Sequence, residues 1–196
     1  MVARHPRTPS EQIGPDVHAA ALEILGELGP DGFTVRSIAE RAGVAPMAIY
    51  NHFSGKNGLL EEIWCEGFSI LTEDMKVETS EPTHDLLEAG LAYRAFALGH
   101  GAHYTVMFMQ RFFGFEPSPD AAYVAAGAFQ MLVGHVERCQ AAGHFTTWRA
   151  ANVAQMLWAA SHGYVSLEIL GVNFSDSPDA TYVDLLNGLL KGLSSP

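Results

Sequence analysis

Residues 33–56 read FTVRSIAERAGVAPMAIYNHFSGK, and their punctuation predicts two short helices joined by a tight turn, then a loop carrying Lys56. The Thr34 hydroxyl can accept a bond from a backbone N–H one turn into the first helix, which makes it a cap. Val35, Ile38, Ala39 and Ala42 then recur at helical spacing. Gly43 suits the left-handed position that ends a helix, and Val44 is placed to plug the corner. Pro46 fits the first turn of the second helix, where a missing N–H costs nothing. Ile49 and Phe53 then face inward, which turns Met47, Ala48, Tyr50, Asn51 and His52 outward. A helix-turn-helix of this kind lays its second helix in a DNA major groove.

The rest of the chain bounds this reading. In 196 residues, 48% are hydrophobic and 17% charged, a composition that folds and builds a core. The longest apolar stretch, residues 121–136, contains Gln130 and His135, so a buried helix is expected there and no membrane span. The N-terminal MVARHPRTPSEQ lacks the apolar core of a secretory signal, so a cytoplasmic protein is expected. Cys65 and Cys139 offer neither a disulfide framework nor metal-ligand spacing.

The net charge of −11 is hostile to DNA until it is divided along the chain. Residues 1–60 carry five basic groups (Arg4, Arg7, Arg36, Arg41, Lys56) and six acidic ones, a net of −1; the remainder carries −10. The asymmetry orients the N-terminal end toward phosphate and the body away from it. A strongly basic footprint is absent.

Every long segment reads helical and none alternates with period two, so the expected fold is all-α with about nine helices. A first helix is expected from about Pro15 to Leu28, broken by Gly29-Pro30-Asp31-Gly32. After Lys56 a further helix carries Leu59, Leu60, Ile63, Trp64, Phe68 and Leu71. Pro82-Thr83 opens another. A short aromatic helix is expected from about His103 to Phe113. Ser118-Pro119-Asp120 and Ser177-Pro178-Asp179 repeat one start signal, a capping Ser with Pro and Asp in the first turn. Gly143 ends a helix, and Thr147 is placed to cap the next, which runs to about Gly171. That helix is apolar on more than one side, which calls for partners all round; with the last helix it suggests a homodimer. The expected division is a DNA-binding domain over 1–56, a connecting helix and junction over 57–80, and a ligand-binding and dimerisation domain over 81–196.

Residues 13–65 resemble the N-terminal domain of the TetR family of bacterial transcriptional regulators. The resemblance rests on Phe33-Thr34, Ile38-Ala39, Gly43-Val44, Ile49-Tyr50-x-His52-Phe53, Lys56 and Leu59-Leu60, in order over about fifty residues. Trp158-x3-His162-Gly163 is similar to a motif in the C-terminal domain of one TetR subgroup. The resemblance implies an all-helical homodimer, usually a repressor released from a palindromic operator by a small-molecule effector. It assigns DNA-facing roles to Thr34, Arg36, Pro46, Met47, Ala48, Tyr50, Asn51, His52 and Lys56. The chemistry agrees in part: Lys56 and Arg36 can neutralise phosphates, Tyr50 and His52 can donate to phosphate oxygens, and Asn51 can pair with an adenine edge. The family often has Ser or Thr where this chain has Ala45, so the second helix lacks a side-chain cap. Arg4 and Arg7 are similar to the basic arm of some members, or form a solvated tail.

In the second part of the chain, Tyr93, Phe96, His100, Tyr104, Phe108, Met109, Phe112, Met131, His135, Trp158 and His162 are candidates to line an effector pocket, aromatics and Met supplying an adaptable wall and histidines a few polar anchors. Ordinary core packing is the competing reading for each of them. His100 and His103 lie three apart and invite zinc, but no carboxylate or thiolate clusters with them in the sequence, so neither metal nor cofactor is expected. No phosphate loop or nucleophile elbow orders an active site. The alternative to a regulator is a helical small-molecule-binding protein, or an enzyme, whose helix-turn-helix does not read DNA.

Overall fold

The structure is a computed structural model that describes residues 10–109 and 114–194. Among the described residues there are nine α-helices and no strand. They are α1 (Ser10–Gly32), α2 (Val35–Ala42), α3 (Pro46–Phe53), α4 (Lys56–Asp74), α5 (Pro82–Gly99), α6 (Gly101–Tyr104), α7 (Pro119–Ala141), α8 (Ala150–Ile169) and α9 (Pro178–Ser194). A π-helical turn, Thr105–Met109, follows α6. The short aromatic helix expected over 103–113 is thus α6 plus this turn, and its end, with Phe112, lies outside the described residues, as do Arg4 and Arg7.

Several boundaries differ from expectation for local reasons. Helix α1 begins at Ser10, five residues before Pro15, because one proline removes a single backbone donor and the turns before it still close. It breaks where the glycines predicted: Gly29 takes φ 66° and ψ −165°, outside helical space. Thr147 does not cap α8; Arg149 occupies that position with no side-chain bond. Ser118, by contrast, caps α7, its hydroxyl accepting from the Ala121 N–H at 3.2 Å.

The chain forms two compact units, Met1–Glu66 with Gly101–Ala121, and Gly67–His100 with Ala122–Pro196. This division differs from the linear one read from the sequence, because the segment around α6 belongs to the first unit. The core of that unit gathers Val17, Ala21 and Ile24 of α1, Ile38 of α2, Ile49 and Phe53 of α3, and Leu59, Leu60 and Ile63 of α4, together with Val106. Polar bonds over long sequence separations hold the later segment in place. Asn57 Nδ2 donates to the Gly114 carbonyl at 2.8 Å, and Glu61 accepts from both the amide and the hydroxyl of Ser118 at 2.9 Å. One oxygen of Glu66 accepts from His18 Nε2 at 3.0 Å and His103 Nε2 at 2.8 Å.

The second unit packs α5, α8 and α9 together with α7 around Leu86, Val133, Val136, Val153, Leu157 and Leu193. Its charges are paired at the edges. Arg94 of α5 makes a two-pronged bond to Glu168 of α8, at 2.6 and 2.7 Å, and reaches Asp179 of α9 at 2.7 Å. Buried Asp85 accepts from the Thr79 amide and hydroxyl and from Arg138. Burial pulls its carboxyl upward, but these three donors outweigh that and hold its pKa at about 2. No helix among the described residues is long and apolar enough to cross a membrane.

Candidate nucleic-acid interface

Helix α2 starts because Thr34 and Ser37 cap one another. Thr34 Oγ1 accepts from the Ser37 amide at 3.1 Å, and Ser37 Oγ accepts from the Thr34 amide at 3.2 Å, a reciprocal arrangement that satisfies two orphan donors. It stops at Gly43, whose φ of 67° is costly for any residue with a Cβ. The Val44 amide then donates back to the Ala39 carbonyl at 3.0 Å, which closes the turn, and Val44 packs against the core.

Helix α3 leaves this turn with Ala45 as its uncapped first position and Pro46 inside the first turn. Ile49 is wholly buried and Phe53 nearly so, which fixes the rotation of the helix about its axis. Met47 is 64% exposed and Tyr50 53%, so Tyr50 is a surface side chain and not a core aromatic. Pro46, Asn51 and His52 are exposed as well, and Ala48 is half-buried. The outward face of α3 therefore carries the side chains that the sequence turned outward.

Among the described residues the cations of this region are few. Arg36 is exposed on the first turn of α2. Arg41 is held by Glu23 at 3.1 Å and Glu27 at 2.7 Å, both on α1, and these carboxylates raise its pKa further. Lys56 stands not in a loop but as the first residue of α4, its ammonium 5.7 Å above the Phe33 ring. There the positive end of the helix dipole adds to its charge, a combination that attracts phosphate.

Two glycines set this corner: Gly55, read from the sequence only as part of the loop before Lys56, and Gly58, which the sequence did not single out. Gly55, at φ 92°, lies under Tyr50: a Cβ there would stand 3.1 Å from the ring. Gly58 lies against the end of α3, where a Cβ would fall 1.6 Å from the Phe53 carbonyl oxygen. Their signal in the sequence was SGKNG after Phe53, two glycines flanking the lysine.

With this geometry in place, the likeness to known proteins is specific. Residues 18–63 match the family described as bacterial regulatory proteins, tetR family, and residues 86–189 match the tetracyclin repressor-like C-terminal domain. The chain belongs to the TetR family. Among TetR relatives, the class A tetracycline repressor of transposon 1721 from Escherichia coli is 40% identical over 81 residues, 41% of this chain and 33% of that repressor. An HTH-type transcriptional regulator of Mycobacterium tuberculosis is 27% identical over 176 residues, 88% of this chain and 78% of that protein. A protein from Rhodococcus sp. RHA1 shares the fold with a TM-score of 0.82 at 22% identity, covering 97% of this chain and 98% of the other. A TetR variant from Acinetobacter baumannii AYE, solved with minocycline, is 27% identical with a TM-score of 0.61, over 92% and 97% of the two chains. TetR regulators are ligand-responsive DNA-binding repressors.

The effector candidates of this TetR chain are divided between the two units. Tyr104, Phe108 and Met109 belong to the first unit, where Tyr104 is wholly buried with Phe108 5.0 Å away. His103 also lies there, beside a carboxylate after all, that of Glu66, while His100 of the second unit stacks on buried Phe96 at 5.2 Å. Tyr93 and His162 hydrogen-bond at 3.0 Å between α5 and α8, and burial lowers the pKa of His162. Trp158 stands 6.0 Å from Phe129 and 6.2 Å from His162. Tyr93 and Trp158 line a void of only about 30 Å³ among α5, α7, α8 and α9, the share of one water molecule. Met131 and His135 line a separate open groove.

Proposed function

We propose that this chain is a cytoplasmic, homodimeric transcriptional regulator, a repressor that leaves a palindromic operator when a small molecule binds its second unit. The observation that carries this is the outward face of α3, where Tyr50, Asn51 and His52 are exposed while Ile49 and Phe53 anchor the helix from behind. A helix so anchored presents its side chains to a groove with little freedom to turn. Arg36 and Lys56 flank it as phosphate contacts, and Pro46, Met47 and Ala48 complete the surface, with Met47 and Ala48 suited to apolar groups such as a thymine methyl. Thr34, bound to Ser37, acts chiefly by fixing the start of α2. A two-fold dimer places two such helices roughly 34–36 Å apart on successive major grooves. The effector must favour one dimer geometry over the other, since equal binding to both shifts nothing. Two relatives support a binding protein rather than an enzyme, the Escherichia coli one being described as a repressor and the Mycobacterium tuberculosis one as a transcriptional regulator.

The test is a gel shift on DNA flanking the coding region. Lys56→Ala is expected to weaken binding to all sequences alike and to reduce the salt slope by about one per reader, about two in the dimer. Asn51→Ala is expected to lose about 1–3 kcal/mol at a single operator position. Absence of any specific complex at moderate salt would instead leave the helix-turn-helix as a scaffold for a small-molecule-binding protein.

A further inference from the structure

The void among α5, α7, α8 and α9 is small, but a surface groove of the second unit is not. An open groove of about 610 Å³ runs between residues 76–78 and one face of α7, within the size range of sites for drug-sized ligands. Its floor is made by what is missing. Gly127 and Gly134, one heptad apart in α7, line it, and a Cβ added at either would meet nothing within 4 Å. Neither has a left-handed backbone, so neither turn geometry nor close packing calls for glycine. Glycine inside a helix is otherwise unfavourable. The two bare positions open a shallow furrow about 10 Å long, the length of a fused two-ring compound.

Polar groups around the furrow define what fits. Lys76 pairs with Glu73 at 2.5 Å, and Arg138 with Asp85 at 2.8 Å and with the Thr79 carbonyl at 2.7 Å. These cations are already neutralised, so an anion gains little. His135 differs. It is only 7% exposed, and its Nε2 lies 3.0 Å from the Met75 carbonyl, an acceptor, which places the proton of the neutral ring on Nε2. Nδ1 is then a lone-pair acceptor, and it has no hydrogen-bond partner. Met131, one turn earlier in α7, lines the same groove, and a thioether moves aside at small cost.

We propose that this groove binds an uncharged ring compound carrying a hydroxyl or N–H group, which displaces Met131 and donates to His135 Nδ1. The groove is the effector site of the regulator, and that assignment rests on the reading in the preceding subsection.

The experiment titrates the full chain with 2-naphthol, 2-methoxynaphthalene and 2-naphthoate, following ligand fluorescence. The naphthol is expected to bind about tenfold tighter than its methyl ether, a typical margin for one buried hydrogen bond. His135→Gln retains a donor for the Met75 carbonyl but has no Nδ1, so this preference should fall to about unity. Gly134→Leu fills the floor without a clash at Cβ and should abolish binding with a thermal midpoint no lower than that of the wild type, which keeps the test decisive even if His135→Gln folds poorly. Equal binding of alcohol and ether, preference for the carboxylate, indifference to Gly134→Leu, or no saturation by about 1 mM would each overturn the site. Operator affinity is read in parallel with and without naphthol. An operator complex that ignores groove-bound naphthol overturns the effector assignment alone, whereas naphthol binding in a chain that forms no operator complex strikes the regulator reading alone.

Discussion

Tyr50 shows how a single backbone position can prepare a contact. Its ring is half out of the protein and rests on the bare backbone of Gly55, where a Cβ would come within 3.1 Å. Gly55→Ala therefore does two things, straining a φ of 92° and pushing the ring aside. Gly43→Ala strains a φ of 67° but meets nothing within 4 Å, so it isolates the backbone part. Each is expected to cost about 1–2 kcal/mol of stability in denaturant unfolding. Only Gly55→Ala should also weaken operator binding, and that excess should vanish in a Tyr50→Ala background. If Gly43→Ala weakens binding equally, the ring support is not what matters. His162 gives a residue-scale prediction of another kind. Burial lowers its pKa below 6.5, so the native state prefers the neutral ring. Its contribution to stability is full above pH 6.5 and is lost as pH falls toward the depressed native value. The thermal midpoint of the wild type should accordingly drop more between pH 7.5 and 5 than that of His162→Phe, which has no such proton to take up.

At the scale of elements, the α3–α4 corner is the tightest joint of the reader. Gly58 lets the first turn of α4 lie against the last carbonyl of α3, with no room for even a methyl group. Gly58→Ala must lever the two helices apart, at about 3 kcal/mol by urea unfolding, and turn the outward face of α3 with them. Gly134→Ala, in open space, should instead be neutral or stabilising by about 0.5–1 kcal/mol. The contrast explains what was legible in the sequence. Thr34, Gly43, Ile49 and Phe53 were readable because cap, turn and helix face are decided by neighbours within a few residues. Gly58 and the helical place of Lys56 were not, because they depend on how closely two consecutive helices approach. The segment after Gly101 was still less legible. Its membership of the first unit rests on bonds such as Glu66 to His103 and Asn57 to Gly114, which span 37 and 57 residues. No periodicity encodes such bonds, and so the aromatics of that segment were grouped with those of the second unit, whereas Tyr104, which is buried, and Phe108, half-buried, belong to the first.

For the whole molecule, the question is how a chain of net charge −11 holds a polyanion. The structure narrows the cations available for the task. Arg41 is spent on Glu23 and Glu27 within the first unit, so among the described residues Arg36 and Lys56 remain as the phosphate contacts proposed for each reader. Tyr50 and His52, proposed as hydrogen-bond donors, are not counted as phosphate-neutralising groups. Two readers in a dimer then neutralise about four phosphates, and each contributes about −0.9 to the slope of log K against log salt. The expected slope is about −4, a shallow dependence for a DNA-binding dimer. Lys56→Ala, removing one cation from each reader, should bring it to about −2. A wild-type slope near −7 would show that Arg4 and Arg7 also lie on the phosphates, and deletion of residues 1–9 would then return it to about −4. Breaking the Arg41 clasp with a Glu23→Gln, Glu27→Gln double substitution should steepen the slope by up to about 2, because it frees one arginine per reader. A slope unmoved by that change would mean that Arg41 faces away from the phosphates even when released, so that α1 holds it only to join α1 to α2.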